Sequence, residues 1–225
     1  MKSTNHEENM IKKYPAPWSL KGKGFILLYR FSKKEIQTDD FLSQKFKDSF
    51  LGGFGAVMIV DYQESNAGPY QELLFIPGNI RYAGKKKKTI SKIYVSTLVS
   101  KMNGIQNWAI PKEHASFDFK ESEKHITQIQ VSSKKNNIID LKLKNGRMKI
   151  PVNTKFLPFP LVQEHEDKAF YTKFSGSGTG RLAKVLHLKV NSEMFPKLSE
   201  KKPVVSLRVD PFTIHFPKST IKKIV

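Results

Sequence analysis

The stretch GAVMIVDYQESNAGPYQELLFI, residues 55–76, contains two β-rich runs with a turn between them. Both runs are dense in Val, Ile, Leu and Phe, which favour strands, and Gly68-Pro69 marks the turn before the second run. Further β-rich runs cover residues 24–31, 90–95, 126–132, 138–143, 169–174, 182–190, 204–209 and 212–216. Many short strands separated by turn residues predict an antiparallel sheet that closes or packs on itself.

Helical signal is confined to two stretches. Apolar side chains at helical spacing predict one short helix within residues 39–50 and another within residues 97–108. Asn136-Asn137 and Lys144-Asn145-Gly146 predict hairpin turns, because Asn and Gly tolerate positive φ. The segment SGSGTG, residues 175–180, is interpreted as a flexible connection, since no helix follows it as a phosphate-binding loop requires. The fold class is therefore predicted to be mainly β with a few short helices.

The length and composition indicate one globular domain. A chain of 225 residues can bury a sizeable core, and we expect a single domain over residues 14–225 after a polar, mobile lead-in at residues 1–13. Cys is absent, which excludes a disulfide scaffold, a cysteine zinc site and thiol catalysis. The six His residues show no paired spacing for metal ligands, so no metal site is predicted.

The sequence shows no membrane signal. No segment approaches the roughly 20 consecutive apolar residues of a spanning helix. The N-terminus, MKSTNHEENMIKKYPAPWSL, lacks the apolar region and cleavage pattern of a secretory signal. We therefore expect a soluble, cytoplasmic protein without a membrane partner.

The strongly basic charge has several interpretations. Lys and Arg number 39 against 20 Asp and Glu, a net charge of +19. Only five of the 39 are Arg, which leaves 34 Lys, and base recognition relies on the guanidinium fork that Lys lacks. The lysines are scattered apart from Lys85–Lys88, which we interpret as a solvated turn. A lysine-rich surface without a specific partner is favoured, so no nucleic acid is expected; an anionic partner remains the alternative.

Two segments contain residues suited to carbonyl chemistry. In GPYQELLFIPG, residues 68–78, Glu72 follows Tyr70 and precedes four apolar residues. In NGIQNWAIPKE, residues 103–113, Lys112 follows an apolar run that ends at a proline. A lysine in apolar surroundings loses hydration of its charged form and can act as a neutral nucleophile that forms a Schiff base with a ketone. A carboxylate such as Glu72 could orient the substrate or transfer a proton.

The same residues have structural interpretations that the spacing alone leaves open. A lysine after a proline is usually in a surface turn, and a glutamate on a strand usually faces solvent. Tyr70 and Trp108 could line a pocket, but from the residues alone packing in a barrel is the favoured interpretation.

Together these segments resemble the acetoacetate decarboxylase family. The resemblance rests on residues 14–31, on 68–78, on KIYVSTLVSKMNGIQNWAIPKEHASF at 92–117, and on SGTGRL at 177–182 with FPKSTIKKI at 216–224. It implies a closed, largely antiparallel β-barrel or cone, a cofactor-free enzyme, a small keto-acid substrate and possible homo-oligomers. It places Lys112 at the family's Schiff-base lysine and Glu72 at its pocket glutamate, with Tyr70 and Trp108 as pocket walls.

The sequence departs from the decarboxylase pattern in three places. Glu113 replaces a second lysine after the nucleophile, and a carboxylate there would stabilise the ammonium form of Lys112 if the side chains came close. Val57 stands where the family has another acid, and Lys21-Gly22-Lys23 replaces a family arginine. We expect a lyase that decarboxylates a small β-keto acid through Lys112, with Glu113 near the substrate. The alternatives are aldolase or dehydratase chemistry, ligand binding alone, or binding to nucleic acid or a membrane surface.

Overall fold

The protein is described by a computed structural model that covers residues 11–123, 125–155 and 159–224. Within these residues the helices are α1 (Lys33–Gln37), α2 (Gln44–Asp48) and α3 (Leu98–Trp108). The strands are β1 (Trp18–Arg30), β2 (Phe50–Gly52), β3 (Phe54–Glu64), β4 (Tyr70–Ile76), β5 (Asn79–Tyr82), β6 (Lys85–Lys87), β7 (Lys92–Val95), β8 (Lys112–His114), β9 (Ser116–Ser122), β10 (Ile126–Ser133), β11 (Asn136–Asn153), β12 (Pro160–His165), β13 (Lys168–Lys173), β14 (Ser175–Val190), β15 (Val205–Phe216) and β16 (Thr220–Lys223).

The main sheet has ten strands in the order β8-β7-β4-β3-β1-β15-β14-β11-β10-β9. Its two edge strands, β8 and β9, are separated in the chain by Ala115 alone. Neighbouring strands lie about 4.8 Å apart, so one residue cannot span a flat sheet of this width. The two edges therefore lie close together, and the sheet is rolled into a nearly closed barrel. Two three-stranded sheets, β12-β13-β16 and β2-β5-β6, accompany it.

Strand β8 is the only parallel addition to the main sheet within the described residues. It pairs with β7 through Ile93 opposite Lys112, whereas every other pair in this sheet is antiparallel. Parallel neighbours need a crossover connection, and α3 provides it between β7 and β8. Thr97 caps the start of α3 by accepting from the Ser100 N–H, and Ala109 ends it in the left-handed region at φ 54°.

Strand β4, which carries Glu72, is buried on both faces. Along β4, Leu73 and Phe75 belong to one apolar core, while Leu74 and Ile76 belong to a second. Side chains alternate between the two faces of a strand, so Glu72 lies on the same face as Leu74 and Ile76. Burial of both faces explains why this segment is continuously apolar rather than alternating.

The predicted fold class, a mainly β barrel with a few short helices, is confirmed. The helix expected within residues 97–108 is present as α3. The helix expected within residues 39–50 is shorter, and a second short helix, α1, precedes it, with Ser32 and Glu35 forming a reciprocal cap. The runs at 204–209 and 212–216 are one strand, β15, which continues through Asp210-Pro211.

Two glycine-containing segments predicted as turns or connections are strands, and those predictions are wrong. β11 continues through Lys144-Asn145-Gly146, where its register with β14 shifts. Within the segment 175–180, residues 177–180 pair with β11, and the segment pairs with β15 on its other side. A Cβ at Gly178 would lie 2.6 Å from the Pro211 carbonyl oxygen, so the glycine permits close approach of the neighbouring strand rather than flexibility.

The dense lysine run is not the solvated turn that the sequence predicts, because Lys85–Lys87 form strand β6 and Lys88 follows it. Lys85 and Lys86 are exposed, but Lys88 is buried and donates to the carbonyl oxygen of Phe54 at 2.8 Å. The lead-in predicted at residues 1–13 falls mostly on residues 1–10, which lie outside the described residues. Among the described helices, none has the length and apolar character needed to cross a membrane.

Candidate active site

Lys112 and Glu72 form a buried ion pair. Nζ of Lys112 lies 2.8 Å from Oε2 of Glu72, and the two side chains are only 4% and 7% exposed. Glu72 sits on β4 opposite Val95 of β7, and Lys112 sits on β8 opposite Ile93 of β7. The lysine side chain therefore reaches past β7 to meet a carboxylate forty positions earlier in the chain. Removing one partner of such a pair costs about 3–5 kcal/mol of stability, because the other charge stays buried without compensation.

Gly104 of α3 makes room for the lysine side chain. A Cβ built on Gly104 would lie 2.6 Å from Cδ, 2.7 Å from Cε and 3.2 Å from Nζ of Lys112. Real Cβ atoms do not come this close to carbon, so only glycine lets the helix pack against the lysine at this position. The helix backbone thus holds the lysine chain against the barrel wall.

Two tyrosines lie next to the ion pair. The hydroxyl of Tyr62 donates to Oε1 of Glu72 at 3.4 Å, and the Lys112 ammonium lies 5.0 Å from the centre of the Tyr70 ring. Burial, and next the negative charge of Glu72, raise the pKa of both Tyr62 and Tyr70 well above 10. Both phenols are therefore protonated throughout the physiological pH range and act as neutral groups.

The ion pair lies in the wall of a cavity of about 160 Å³. Most of the wall is aliphatic or aromatic. The main apolar contributors are Trp18, Leu20, Phe25, Ile26, Met58, Val60, Leu74, Ile76, Ile90, Ile93, Trp108, Ile110, Val152, Phe159, Leu161, Phe174, Val209, Phe212, Ile214 and Phe216. Such a wall excludes water, so the charges of Lys112 and Glu72 interact in a low-dielectric environment.

Trp108 closes one side of the cavity. Its indole N–H donates to the carbonyl oxygen of Pro217 at 2.7 Å, and its ring meets Trp18 and Phe216 edge to face at 5.1 and 4.9 Å. The buried indole therefore has its hydrogen-bond partner while the ring contributes apolar wall area.

Two asparagines of α3 form hydrogen bonds with the backbone of the segment that leads into β1. Asn103 accepts from the Tyr14 N–H at 2.6 Å and donates to the Lys12 carbonyl at 3.0 Å. Asn107 donates to the Tyr14 carbonyl at 2.8 Å and accepts from the Ala16 N–H at 3.2 Å. These contacts flank Gly104 along the helix, so the segment supports the part of α3 that packs on Lys112.

Four of the five residues predicted for the site line one cavity: Lys112, Glu72, Tyr70 and Trp108. Glu113, predicted near the substrate, does not line it. Its side chain is 52% exposed and pairs with Lys92 at 2.5 Å. Adjacent residues of a strand point to opposite faces, so Lys112 faces the cavity while Glu113 faces outward, and the carboxylate that actually contacts Lys112 is Glu72.

Sequence reasoning missed four residues of the site: Gly104, Tyr62, Asn103 and Asn107. A glycine inside a helical pattern usually has a packing reason, and that was the available signal for Gly104. Tyr62 lies two residues after Val60, which pairs with Glu72 across β3 and β4. Only the correct pairing of these two strands reveals that Tyr62 is near Glu72. Among the described residues, no group of three or more His, Asp or Glu side chains is arranged to hold a metal ion.

The sequence matches no protein-family model and no curated protein at a significant level. Solved structures do match. An acetoacetate decarboxylase from Legionella pneumophila superposes with a TM-score of 0.71 over 92% of this chain and 88% of that chain, at 13% identity. The chain has the acetoacetate decarboxylase fold. The resemblance drawn from the sequence motifs is thereby confirmed for the architecture.

Other proteins with the acetoacetate decarboxylase fold carry different names. An acetoacetate decarboxylase-like enzyme from Sphingomonas wittichii matches with a TM-score of 0.67, at 9% identity, over 94% of this chain and 95% of that chain. The enduracididine biosynthesis enzyme MppR, in complex with pyruvate, matches with a TM-score of 0.64 at 12% identity, over 92% and 91% of the two chains. The fold is thus shared by proteins of more than one function, so the site has to indicate the chemistry.

Proposed function

We propose that this protein is a carbon–carbon lyase that forms a Schiff base between Lys112 and the carbonyl group of a small substrate. The supporting observation is the buried Lys112–Glu72 pair, with its 2.8 Å contact, in the wall of an apolar cavity. A lysine that faces a cavity, rather than solvent, can meet a carbonyl carbon without competition from water.

Glu72 is proposed as the proton carrier of this reaction. It takes one proton from the Lys112 ammonium, and the neutral amine then adds to the carbonyl carbon to give a carbinolamine. Glu72 next returns that proton to the departing hydroxyl, so water leaves and a protonated imine forms beside the carboxylate. Lys–NH₃⁺ and a ketone thus become a protonated imine and one water molecule, with no change in total charge. The 2.8 Å contact places Glu72 within reach for both transfers.

The protonated imine is an electron sink for cleavage of a bond at the neighbouring carbon. For a β-keto acid the leaving group is carbon dioxide, and an enamine remains that is protonated and hydrolysed. For a β-hydroxy carbonyl compound the leaving group is an aldehyde. This second reaction is a candidate because MppR, which has the same fold, is described in complex with the condensation product of pyruvate and imidazole 4-carboxaldehyde.

Reductive trapping tests the imine. The protein is treated with borohydride in the presence of acetoacetate, pyruvate or a simple neutral ketone, and the modified peptide is located by mass analysis. We expect an adduct on Lys112, and release of carbon dioxide would identify decarboxylation. Absence of a Lys112 adduct with every carbonyl compound would exclude the Schiff-base proposal.

Matched variants control for the many other lysines. Lys112→Met should abolish the adduct, whereas Lys88→Met, which removes the other lysine that is buried among the described residues, should leave it unchanged. Lys112→Met also leaves Glu72 without its partner, so the double variant with Glu72→Gln is needed to restore charge balance. Equal thermal stability of the double variant and wild type would show that lost trapping does not reflect unfolding.

A further inference from the structure

The charges in the cavity wall form one balanced pair. Among the described residues that line it, Lys112 is the only cation and Glu72 the only anion. The tyrosines stay neutral, because burial raises their pKa. The remaining polar side chains are Asn153, Thr154 and Ser177, which carry no charge.

Two of these uncharged side chains, Thr154 and Asn153, accept hydrogen bonds from backbone N–H groups. Oγ1 of Thr154 accepts from the Gly176 N–H at 2.9 Å, and Oδ1 of Asn153 accepts from the Lys155 N–H at 2.8 Å. These contacts belong to the pairing between β11 and β14 and to the turn that follows β11. Both contacts use acceptor oxygens only, so the described lining offers a carboxylate neutral hydrogen-bond donors but no cation besides Lys112.

The other buried cations of the described chain are not part of the wall. Lys88 donates to the Phe54 carbonyl at 2.8 Å. Arg208 pairs with Glu121 at 3.1 Å and with Asp210 at 2.8 Å. Neither cation is therefore arranged to neutralise an anionic ligand in the cavity.

Charge balance then discriminates between substrate classes. After imine formation, the positive iminium and the negative Glu72 cancel, so the loaded site is neutral when the rest of the substrate is neutral. A keto acid would add a second carboxylate to an apolar cavity with no remaining cation. A buried charge without a partner is strongly unfavourable.

We infer that the substrate of this site is a neutral, apolar ketone or aldehyde rather than a keto acid. The inference rests on the Schiff-base function proposed above. The cavity of about 160 Å³ is similar in size to an apolar protein cavity of about 150 Å³ that holds benzene. The substrate part inside it is thus expected to have about six to eight non-hydrogen atoms by the same comparison.

A neutral substrate also determines which bond breaks. It has no carboxylate to lose, so the bond is cleaved between the α- and β-carbons of a β-hydroxy carbonyl compound. Glu72 takes the proton of the β-hydroxyl group, the carbon–carbon bond breaks, and its electron pair moves into the iminium to give an enamine. An aldehyde leaves, the enamine carbon takes the proton back from Glu72, and water hydrolyses the imine to release a ketone.

Isosteric ligand pairs test the inference. The branched ketone 4-methylpentan-2-one has the shape of acetoacetate with an isopropyl group in place of the carboxylate, and 3-methylbutan-2-one stands in the same relation to pyruvate. Borohydride trapping on Lys112 is measured against concentration for each compound. We expect half-maximal labelling by the neutral ketones at concentrations on the order of tenfold lower than for their acids. Equal or tighter labelling by the acids would overturn the inference while leaving the Schiff-base function intact.

Glu72→Gln provides a charge-neutralising control. This variant removes the negative charge, so the carboxylate of a keto acid becomes the only partner of the iminium. We expect the preference for the neutral ketone over its acid to fall on the order of tenfold relative to wild type. An unchanged preference ratio would show that charge balance does not set the selectivity.

Thermal stabilisation by the same compounds measures binding without a covalent bond. If no compound labels Lys112, the Schiff-base proposal fails, yet the melting temperature still compares neutral and charged ligands. Stabilisation by the ketones but not by the acids would support the neutral class. The reverse order would contradict it. This measurement uses wild-type protein and does not depend on the folding of any variant.

Discussion

Lys88 and Lys112 are both buried, but their surroundings differ. Lys112 meets the carboxylate of Glu72, whereas the Lys88 amine donates to the Phe54 carbonyl and packs 5.4 Å from the centre of the Phe159 ring. Burial, with a smaller contribution from Lys86, lowers the pKa of Lys88 from 10.5 to about 8. The fold therefore disfavours the charged form of Lys88.

The lowered pKa of Lys88 predicts a pH-dependent stability difference between wild type and Lys88→Met. Below pH 8 the amine is protonated in both the folded and unfolded states, so the full cost of burying the ammonium is present. Between about pH 8 and 10.5 the folded protein loses this proton first, the unfolded state binds more protons, and the stability of wild type rises. We expect the wild type to gain on the order of 2 kcal/mol relative to Lys88→Met across this range.

Urea denaturation from pH 7 to 10.5 measures this difference. Titration of other groups cancels when the two proteins are compared at each pH, and Lys85→Met, at an exposed position, serves as the control. A constant difference between wild type and Lys88→Met over the whole range would refute the expectation.

At the level of elements, α3 both makes the parallel connection to β8 and supports the candidate nucleophile. The helix packs directly on Lys112 because Gly104 has no side chain, and Asn103 and Asn107 bind the segment that precedes β1. The position of the amine thus depends on a helix–strand contact rather than on residues next to Lys112 in the chain.

Gly104→Ala is expected to impair trapping at Lys112 without unfolding the protein. The added methyl group would contact Cδ and Cε of Lys112 at 2.6 and 2.7 Å, so the lysine side chain or the helix must shift, and we expect the Lys112–Glu72 contact to be disturbed. Displacement of a reacting group by about 1 Å can reduce rates roughly 10- to 100-fold. Ala also favours the helix over Gly by about 1 kcal/mol, which offsets part of the packing cost.

The rate of borohydride labelling at Lys112 and the melting temperature together test this role. Gln106→Ala, at an exposed position of α3, introduces alanine into the same helix with a smaller gain in helix preference and without touching the lysine, so it should label at the wild-type rate. Normal labelling of Gly104→Ala would show that the helix contact does not position the amine.

For the whole molecule, the net charge of +19 remains without a described partner. Several lysines are already paired with carboxylates on the surface, including Lys21 with Glu64 and Lys23 with Glu121. Exposed pairs of this kind contribute little stability, and the lysine excess is spread over many elements rather than concentrated in one groove. The absence of a nucleic-acid partner and the possible homo-oligomer stay predictions.

We expect only weak, salt-sensitive binding to nucleic acid. Binding through scattered lysines depends on counterion release, so a gel shift with duplex DNA seen near 20 mM salt should disappear by about 150 mM. An unrelated basic protein of similar charge provides the low-salt control. A complex that persists at physiological salt would contradict the expectation and indicate a specific anionic surface.

Local patterns in the sequence determined much of the architecture. Runs rich in Val, Ile, Leu and Phe with turn residues between them predicted a mainly β fold, and apolar spacing predicted α3. The two segments around Glu72 and Lys112 were also recognisable, because together they resemble the acetoacetate decarboxylase family, although their spacing alone left a structural interpretation open. These features depend on residues that are near one another in the chain.

Only the tertiary structure decided which side chains meet. The Lys112–Glu72 contact spans forty positions and an intervening strand. The direction of strand β8 turned Glu113 outward, and the pairing of β14 on both sides converted a glycine-rich segment into a strand. Burial of Lys88 likewise depends on the distant Phe54 and Phe159. A short sequence pattern specifies local conformation, whereas register and close packing between distant segments determine burial, charge pairing and the shape of the cavity.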